Sequence, residues 1–565
     1  MGWRSAWRAS PTSRKCARSA LSKILDTTQG LRFAGGSAPT GADDLGQRLE
    51  QLNAIGASLS AERDIHRLLE TILTAAKTIT RADGGTLYRL TDDKTLRFEI
   101  VRTSSLRYYL GGTTGNPVPF YPIQLYKDGK PNHGMVAAYS ALTGKTVNIA
   151  DAYSAEGFDF SGTRAFDQKT GYRSKSFLSV PMRNYEREII GVLQLINAHD
   201  PQTGEIVPFS ASDQRLAESL ASQAAVALTN RMLINQLEQL FESFINLINN
   251  AIDEKSPYTG GHCQRVPQLT MLLAEAVNDT TEGPLKDFHM TDKDRYELKI
   301  AGLLHDCGKV TTPVHIVDKA TKLETISDRI HLVDTRFEVL KRDAEIEALK
   351  GGLDERELRR RLRQLEEDRK FLHACNVGTE RMREEDMERV RRIAKYRWRD
   401  MQGHEVSFLT DDEVKNLTIR SGTLTEDERK IINHHIVATI RMLEALPWPS
   451  HLVNVPEYAG GHHERMDGKG YPKGLKREQM SVQARCMGIA DIFEALTAKD
   501  RPYKQGKTLS ESLEILGKFK QNGHIDPDLF DIFVRRKVYQ RYAEMFLDPD
   551  QIDVVDESKI PGYRP

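Results

Sequence analysis

The chain has 565 residues, too many for one hydrophobic core, so two or three domains are expected. Lys plus Arg and Asp plus Glu both number 80, and this zero formal net charge excludes a protein that coats a nucleic-acid polymer through bulk charge. No apolar run approaches the roughly 20 residues of a membrane span, and the five cysteines, scattered and without a C-x-x-C pair, fit free thiols in a reducing, cytoplasmic setting.

Residues 1–44 read as a basic disordered leader. Arg4, Arg8, Arg14, Lys15, Arg18 and Lys23 precede the first acid, Asp26, and the Gly/Ala/Ser/Pro-rich stretch 30–41 has the composition of a linker. From 45 to 230 the pattern is mixed. An amphipathic stretch at 68–78 predicts a helix, and alternating runs at 85–90, 96–101, 176–182 and 188–195 predict strands, together an α+β sensory domain with an antiparallel sheet and flanking helices. The stretch 212–252 has no Gly or Pro and predicts a long connecting helix. On it Val226, Asn230, Leu233, Leu237, Leu240, Phe244 and Leu247 are spaced by four and three. That is an a/d seam with one polar position, suited to a two-stranded coiled coil and hence a homodimer. Packing of the stripe on its own domain is the competing reading.

The chemistry lies between 252 and 504: His262, His305 with Asp306, His434 and His435, His462 and His463, and Asp491. Imidazole and carboxylate sets suit iron, manganese or zinc, and the lack of Cys at ligand spacing argues against a structural zinc. Residues 301–309 read as an apolar helix ending near Gly308. A buried His305–Asp306 pair needs partners, which a metal supplies to both groups at once. Lys309, four residues after His305, shares its face if the helix continues, and its cation suits a phosphate oxygen. Residues 462–472 join adjacent histidines to a Gly/Pro turn whose glycines allow close backbone approach to a ligand, with Tyr471 able to stack on a base.

Two resemblances attach to these residues. The stretch 45–230 resembles a GAF domain. Residues 166–176 look like the loop of cyclic-nucleotide-binding GAF domains, and Asn197, Phe209 and Asp213 fit a scattered Asn-Lys-Phe-Asp-Glu signature in which Ala198 stands for the Lys and Gln214 for the Glu. The resemblance implies a small ligand near Asp167, Thr170, Asn197, Phe209 and Asp213, or else a dimer-forming scaffold. From about 252 to 504 the chain resembles the HD-GYP family of metallophosphohydrolases, which degrade bacterial cyclic di-GMP. The motifs are His305-Asp306-x-Gly308-Lys309, then 462–472 with Gly470-Tyr471-Pro472, then 490–497 and 501–504.

That resemblance implies metal ligands at His262, His305, Asp306, His435, His462, His463 and Asp491, with His435 preferred to His434. Asp306 would bridge two divalent metals, iron or manganese first and zinc as an alternative. Some relatives add a Glu four residues before the first His; Tyr258 stands there, so two metals are expected rather than three. Asp306 and Lys309 would be catalytic, and Lys309, Gly470, Tyr471, Pro472, Arg501 and Lys504 would contact substrate. The implied activity is hydrolysis of cyclic di-GMP to linear pGpG, continuing to GMP as an option. The alternatives are a phosphodiesterase for another cyclic dinucleotide, or a catalytically weak adaptor that binds nucleotide or a diguanylate cyclase (GGDEF) partner.

One departure stands out. Residues 319–323 and 424–428 look like halves of one family segment pushed apart by roughly a hundred residues. The intervening insertion, about 324–422, is charged and helical. Leu358, Leu362, Leu365 and Leu372 keep a/d spacing around Arg369, which predicts a helical hairpin or coiled coil. The expected organisation is therefore multidomain: leader, GAF domain, connecting helix 212–252, an all-α HD-GYP domain over 253–520 carrying the insertion, and a helical tail over 521–565.

Overall fold

The computed structural model describes residues 41–255, 261–378, 381–499 and 506–564. Residues 1–40 of the expected leader, Tyr258, Arg501 and Lys504 lie outside the described residues. Two compact units divide between residues 239 and 240.

The first unit opens with α1 (Gly41–Ala61) and α2 (Ile65–Thr80). α2 begins where the Asp64 carboxylate accepts from the Arg67 amide and stops at Arg81, which takes a left-handed conformation with φ 54°. Its stripe of Leu68, Leu69, Ile72, Leu73, Ala76 and Ile79 is buried at helical spacing. The sheet comprises β1 (Ala82–Leu90), β2 (Thr95–Thr103), β3 (Tyr108–Gly111), β4 (Val147–Ile149), β5 (Phe177–Arg183) and β6 (Ile189–His199). The order is β3-β2-β1-β6-β5-β4, antiparallel throughout, with two short strands added at β2 and β6.

Side-chain alternation decides what each face covers. Leu87, Leu178, Val180, Leu193 and Leu195 pack with α2 and with Leu216, Leu220 and Ala224 of the long helix. Tyr88 and Val192, one position out of phase, pack with Ala137, Ala138 and Ala141 of α3 (Val136–Thr143). The four predicted strands are present. The stretch 166–176 is not wholly loop: α4 (Ser161–Thr170) runs into it, because Gly171 supplies the left-handed closing residue at φ 72° and so carries the helix to that point. The long helix, α5, spans Ala211–Lys255.

In the second unit, α6 (His262–Asn278) and α7 (Asp292–Leu304) lead to a 3-10 turn, Cys307–Thr311. The insertion follows: α8 (Ile330–Leu349), α9 (Glu355–Asn376), α10 (Glu384–Ala394), the ribbon β7 (Arg397–Arg399) and β8 (Glu405–Ser407), and α11 (Asp411–Leu417). α8 and α9 form the expected hairpin, but they do not stand alone. Phe337, Leu340, Leu365, Leu372, Val390 and Phe408 make a separate core, while Leu358 and Leu362 of the expected seam are only half-buried. The two halves of the interrupted segment meet again: Lys319 Nζ lies 2.8 Å from Glu428 Oε1, and Thr423 Oγ1 donates to the Lys319 carbonyl at 2.9 Å.

Then come α12 (Glu426–Glu444), α13 (Val455–Gly460), α14 (Val482–Thr497), α15 (Leu509–Gln521), α16 (Pro527–Arg535) and α17 (Val538–Phe546). The expected tail over 521–565 is a wall of the main core instead. Phe530, Phe533 and Tyr542 are fully buried with Val266, Leu298, Met487 and Phe493, because α16 and α17 present apolar faces that have this core to cover. Among the described residues no helix is long and apolar enough to cross a membrane.

Candidate metal centre

Five elements bring seven donors together. His262 opens α6, His305 and Asp306 follow α7, His435 sits in α12, His462 and His463 follow α13, and Asp491 lies in α14. They form two adjoining groups, Asp306 with His435, His462 and His463, and His262 with His305 and Asp491. Within each group the donor atoms all lie within 4.8 Å of one another. Asp306 links the two: its Oδ2 is 3.2 Å from both His262 Nε2 and His305 Nε2, and its Oδ1 is 3.2 Å from His435 Nε2. His434, the neighbour passed over in the sequence, is exposed, whereas His435 is buried.

The ring orientations point the same way. His305 Nδ1 and His462 Nδ1 face the carbonyls of Gly302 and Ala459 at 2.7 Å, and His435 Nδ1 faces that of Ile432. Each ring thereby directs Nε2 inward as a lone-pair donor, the arrangement metal-bound imidazoles use. Nitrogen faces nitrogen at 3.3 Å between His305 and His262 and at 3.2 Å between His463 and His435. His462 Nε2 is buried with no hydrogen-bond partner among the described residues. Buried acceptors crowded in this way are costly unless a cation satisfies them, so the donor set fits divalent metals.

The electrostatics agree. Burial, reinforced by His463 and His305, holds the His462 imidazole well below its ordinary range, and burial takes His463 down to about 4, so both are neutral donors near pH 7. Burial alone would raise the Asp306 carboxyl, but Lys309 and His305 overcome it and hold it well below the usual range; His262 and the neighbouring imidazoles do the same for Asp491.

His262 is backed differently. Its Nδ1 is 2.6 Å from Glu494 Oε2, and that buried carboxylate is held by Arg265 Nη2 at 2.6 Å. Sequence reading assigned neither residue a role. The available signal was spacing: each lies three positions after a donor, Asp491 or His262, on the same helix.

Local geometry explains the motif residues. A Cβ on Gly308 would lie 2.0 Å from the His435 carbonyl oxygen. Only glycine lets the 3-10 turn rest directly on α12, which sets Asp306 beside His435, and the Gly308 amide seals the contact by donating to Thr439 Oγ1 at 2.9 Å. Lys309 is not on a continued α-helix. α7 stops at Leu304, and Lys309 Nζ pairs with Asp306 three residues back. At Gly470 the visible constraint is internal: a Cβ there would lie 2.4 Å from Glu464 Cα, so the loop crosses its own backbone at that point. Glu464 pins the loop by accepting from the Lys473 and Leu475 amides at 2.7 and 2.8 Å. Tyr471, followed by half-buried Pro472, stacks on His463 with ring centroids 4.9 Å apart, so one ring face is taken by a donor imidazole rather than left for a base.

The five residues named for a ligand in the first unit have internal partners. Asp167 accepts from the Ser174 amide and from Tyr153 Oη, both at 2.8 Å, and the Thr170 hydroxyl donates to the Phe166 carbonyl. Asn197, at φ 58°, accepts from the Lys175 amide at 2.7 Å and donates to the Arg173 carbonyl at 2.8 Å. Phe209 lies in the core, and Asp213 is ion-paired with Arg48.

Comparison with known proteins gives the following. A GAF domain family model matches residues 64–228, and two HD domain models match 259–396 and 410–529. A cyclic di-GMP phosphodiesterase of Pseudomonas aeruginosa is 37% identical over 139 residues, 24% of this chain and 32% of the relative. A 3'3'-cGAMP-specific phosphodiesterase of Vibrio cholerae is 34% identical over 143 residues, 25% of this chain and 31% of the relative. A second 3'3'-cGAMP-specific phosphodiesterase of that organism is 24% identical over 338 residues, 59% of this chain and 48% of the relative. The chain thus spans between about a third and a half of the length of these relatives.

Proposed function

From a chain in which a GAF domain precedes an HD domain, we propose a metal-dependent phosphodiesterase that opens cyclic di-GMP to linear pGpG, with further cleavage to GMP as a second step, under control of the GAF domain. The observation that carries this reading is the pair of adjoining donor groups sharing Asp306. His262, His305 and Asp491 would hold one cation and His435, His462 and His463 the other, iron or manganese before zinc. When bound, two such cations supply the charge that activates water and stabilises the departing oxygen of an in-line displacement at phosphorus.

The chain's own residues do the rest. Asp306 faces both groups and is held ionised by Lys309. Burial would strip the proton from Lys309, but Asp306 outweighs it and keeps the ammonium charged, beside the place where phosphate charge develops. Tyr471 stacks over His463; Gly470, Tyr471 and Pro472 are assigned to the substrate, and Arg501 and Lys504 to its phosphates. A homodimer through α5 belongs to the same proposal, supported by the exposure of Leu237, Leu240, Phe244 and Leu247 along one seam. So does a cytoplasmic location.

The second reading is a different cyclic dinucleotide, favoured by the specificity named for the two Vibrio relatives. An adaptor that binds a diguanylate cyclase partner is the third, and the completeness of the donor set speaks against it. The test is a product assay on protein loaded anaerobically with Fe(II) or Mn(II), across cyclic di-GMP, 3'3'-cGAMP and cyclic di-AMP. Preferred linearisation of cyclic di-GMP supports the proposal. Preference for 3'3'-cGAMP moves the substrate assignment, and turnover of none of the three overturns the enzyme reading.

A further inference from the structure

The turn that follows the His305–Asp306 pair is held from two sides. On one side Gly308 rests on α12, bonded to Thr439. On the other side Lys255, the last residue of α5, sends its ammonium to three backbone carbonyls of the turn: Lys309 at 3.3 Å, Thr312 at 2.7 Å, and Val310. No carboxylate pairs with Lys255 among the described residues. A cation placed on the outward carbonyls at the C-terminal end of a helical turn satisfies acceptors that have no intrahelical partner and matches their dipole. Lys309 and Asp306 lie within that turn and at its root, so whatever sets the turn sets the Lys309–Asp306 contact.

The same end of α5 carries a fault. Ile245 and Ile252 are buried in the core, and Asn249, on the same face, is 2% exposed with neither its carboxamide nitrogen nor its oxygen hydrogen-bonded among the described residues. Burying an amide unpaired is unfavourable. The seat of α5 is therefore held by Lys255, by the Glu242–Lys299 ion pair at 3.0 Å and by apolar contacts against a built-in penalty, and a small rotation or shift that wets Asn249 relieves it.

We propose that Lys255 is a positioning residue for the metal centre, and that α5, one continuous 45-residue helix, regulates it by seating or withdrawing this ammonium from the 309–312 carbonyls. The proposal rests on the phosphodiesterase reading for its activity arm only. The experiment is hydrogen exchange of full-length protein, following backbone amides 308–313 by mass spectrometry, together with steady-state kinetics, for Lys255→Ala, Lys255→Arg and Asn249→Leu.

In Lys255→Ala the amides of the turn should exchange at least tenfold faster while those of α12 stay unchanged, and kcat should fall about tenfold at constant KM. Lys255→Arg should restore both. Asn249→Leu should slow exchange of the turn. Unchanged exchange in Lys255→Ala, or a loss that arginine does not rescue, would overturn the proposal. If the alanine variant does not fold, Asn249→Leu decides it: slower exchange of the turn sustains the proposal, and unchanged exchange rejects it. Because exchange is read without substrate, an unreactive wild-type protein would overturn the substrate assignment and leave the positioning role standing.

Discussion

The unit matched by the GAF model and the unit that gathers the seven candidate donors treat buried polar groups in opposite ways. In the first, Asp167, Asn197 and Asp213 each spend their hydrogen-bonding capacity on neighbours: a serine and a tyrosine, three loop backbone groups, and Arg48. In the second, His262, His305, His435 and His463 turn ring nitrogens on one another at 3.2–3.3 Å, and His462 Nε2 has no hydrogen-bond partner among the described residues. The desolvation cost of a buried polar group is similar in both places. Where partners from the chain absorb it, the residue is scaffold. Where donors of one kind converge with too few protons to share, the arrangement needs something from outside. Motif reading had left the first set open between a small-ligand site and a dimer-forming scaffold, and had taken the second as metal ligands.

The strongest way to break this contrast is His305→Ala with Asp306→Ala. Removing the shared carboxylate and one imidazole should lower hydrolysis by about 10³-fold or more, the scale of several kcal/mol of lost transition-state stabilisation. Circular dichroism and a thermal melt have to show that the double variant still folds, because it also leaves the Lys309 ammonium without its carboxylate and removes a buried ring. Retained activity would mean that the converging donors are not the reacting centre.

The complementary change in the GAF unit is Arg48→Ala. It leaves Asp213 largely buried without its cation, which should cost about 3 kcal/mol of that unit's stability. The basal kcat of cyclic dinucleotide hydrolysis should be unchanged. Denaturant titration followed by a probe in the first unit measures the loss. A fall in kcat without a loss of stability would show that the pair is more than scaffold.

These two changes also show what could be read in advance. Local chemistry pointed to His305 beside Asp306 and to His462 beside His463, whereas His262, His435 and Asp491 came in as ligands only through the family resemblance. The strands were legible from period-two alternation, as at Leu193 and Leu195. Arg48 was not, since the residue it neutralises lies 165 positions away. Nor was the core role of α16 and α17, because Phe530 and Tyr542 look like any amphipathic stripe until Val266 and Met487 are placed against them. Glu494 belongs to the same class. It stands in a recognisable motif, but its task depends on His262, 232 positions away.

Glu494→Gln sharpens the contrast inside the metal centre itself. Of the rings with a resolved Nδ1 contact, His262 alone is backed by a carboxylate, and the others are backed by carbonyls. An amide in place of the carboxylate still fills the space but polarises the ring less. Metal affinity of the group containing His262 should drop by about 10–100-fold, the range seen when such orienting partners are removed. The group containing His435 should keep its affinity. Two-site metal titration would show one weakened and one unchanged step, and equal weakening of both would refute the assignment.

The smallest expected effect concerns Tyr471, where two physical roles give different kinetic signatures. The ring stacks on His463 at 4.9 Å and 26°, so its service is to hold a donor imidazole in place. Aromatic contact of this kind contributes about 0.5–1.5 kcal/mol. Tyr471→Phe keeps the ring and should change kcat and KM less than about twofold, since less than about 0.4 kcal/mol is at stake. Tyr471→Ala should weaken metal binding about tenfold at unchanged KM for the dinucleotide, because the lost contact is with His463. If the ring stacked on a nucleobase instead, the alanine variant would raise KM and leave metal affinity alone. The ratio of the two losses therefore separates a residue that steadies the metal centre from one that grips the substrate.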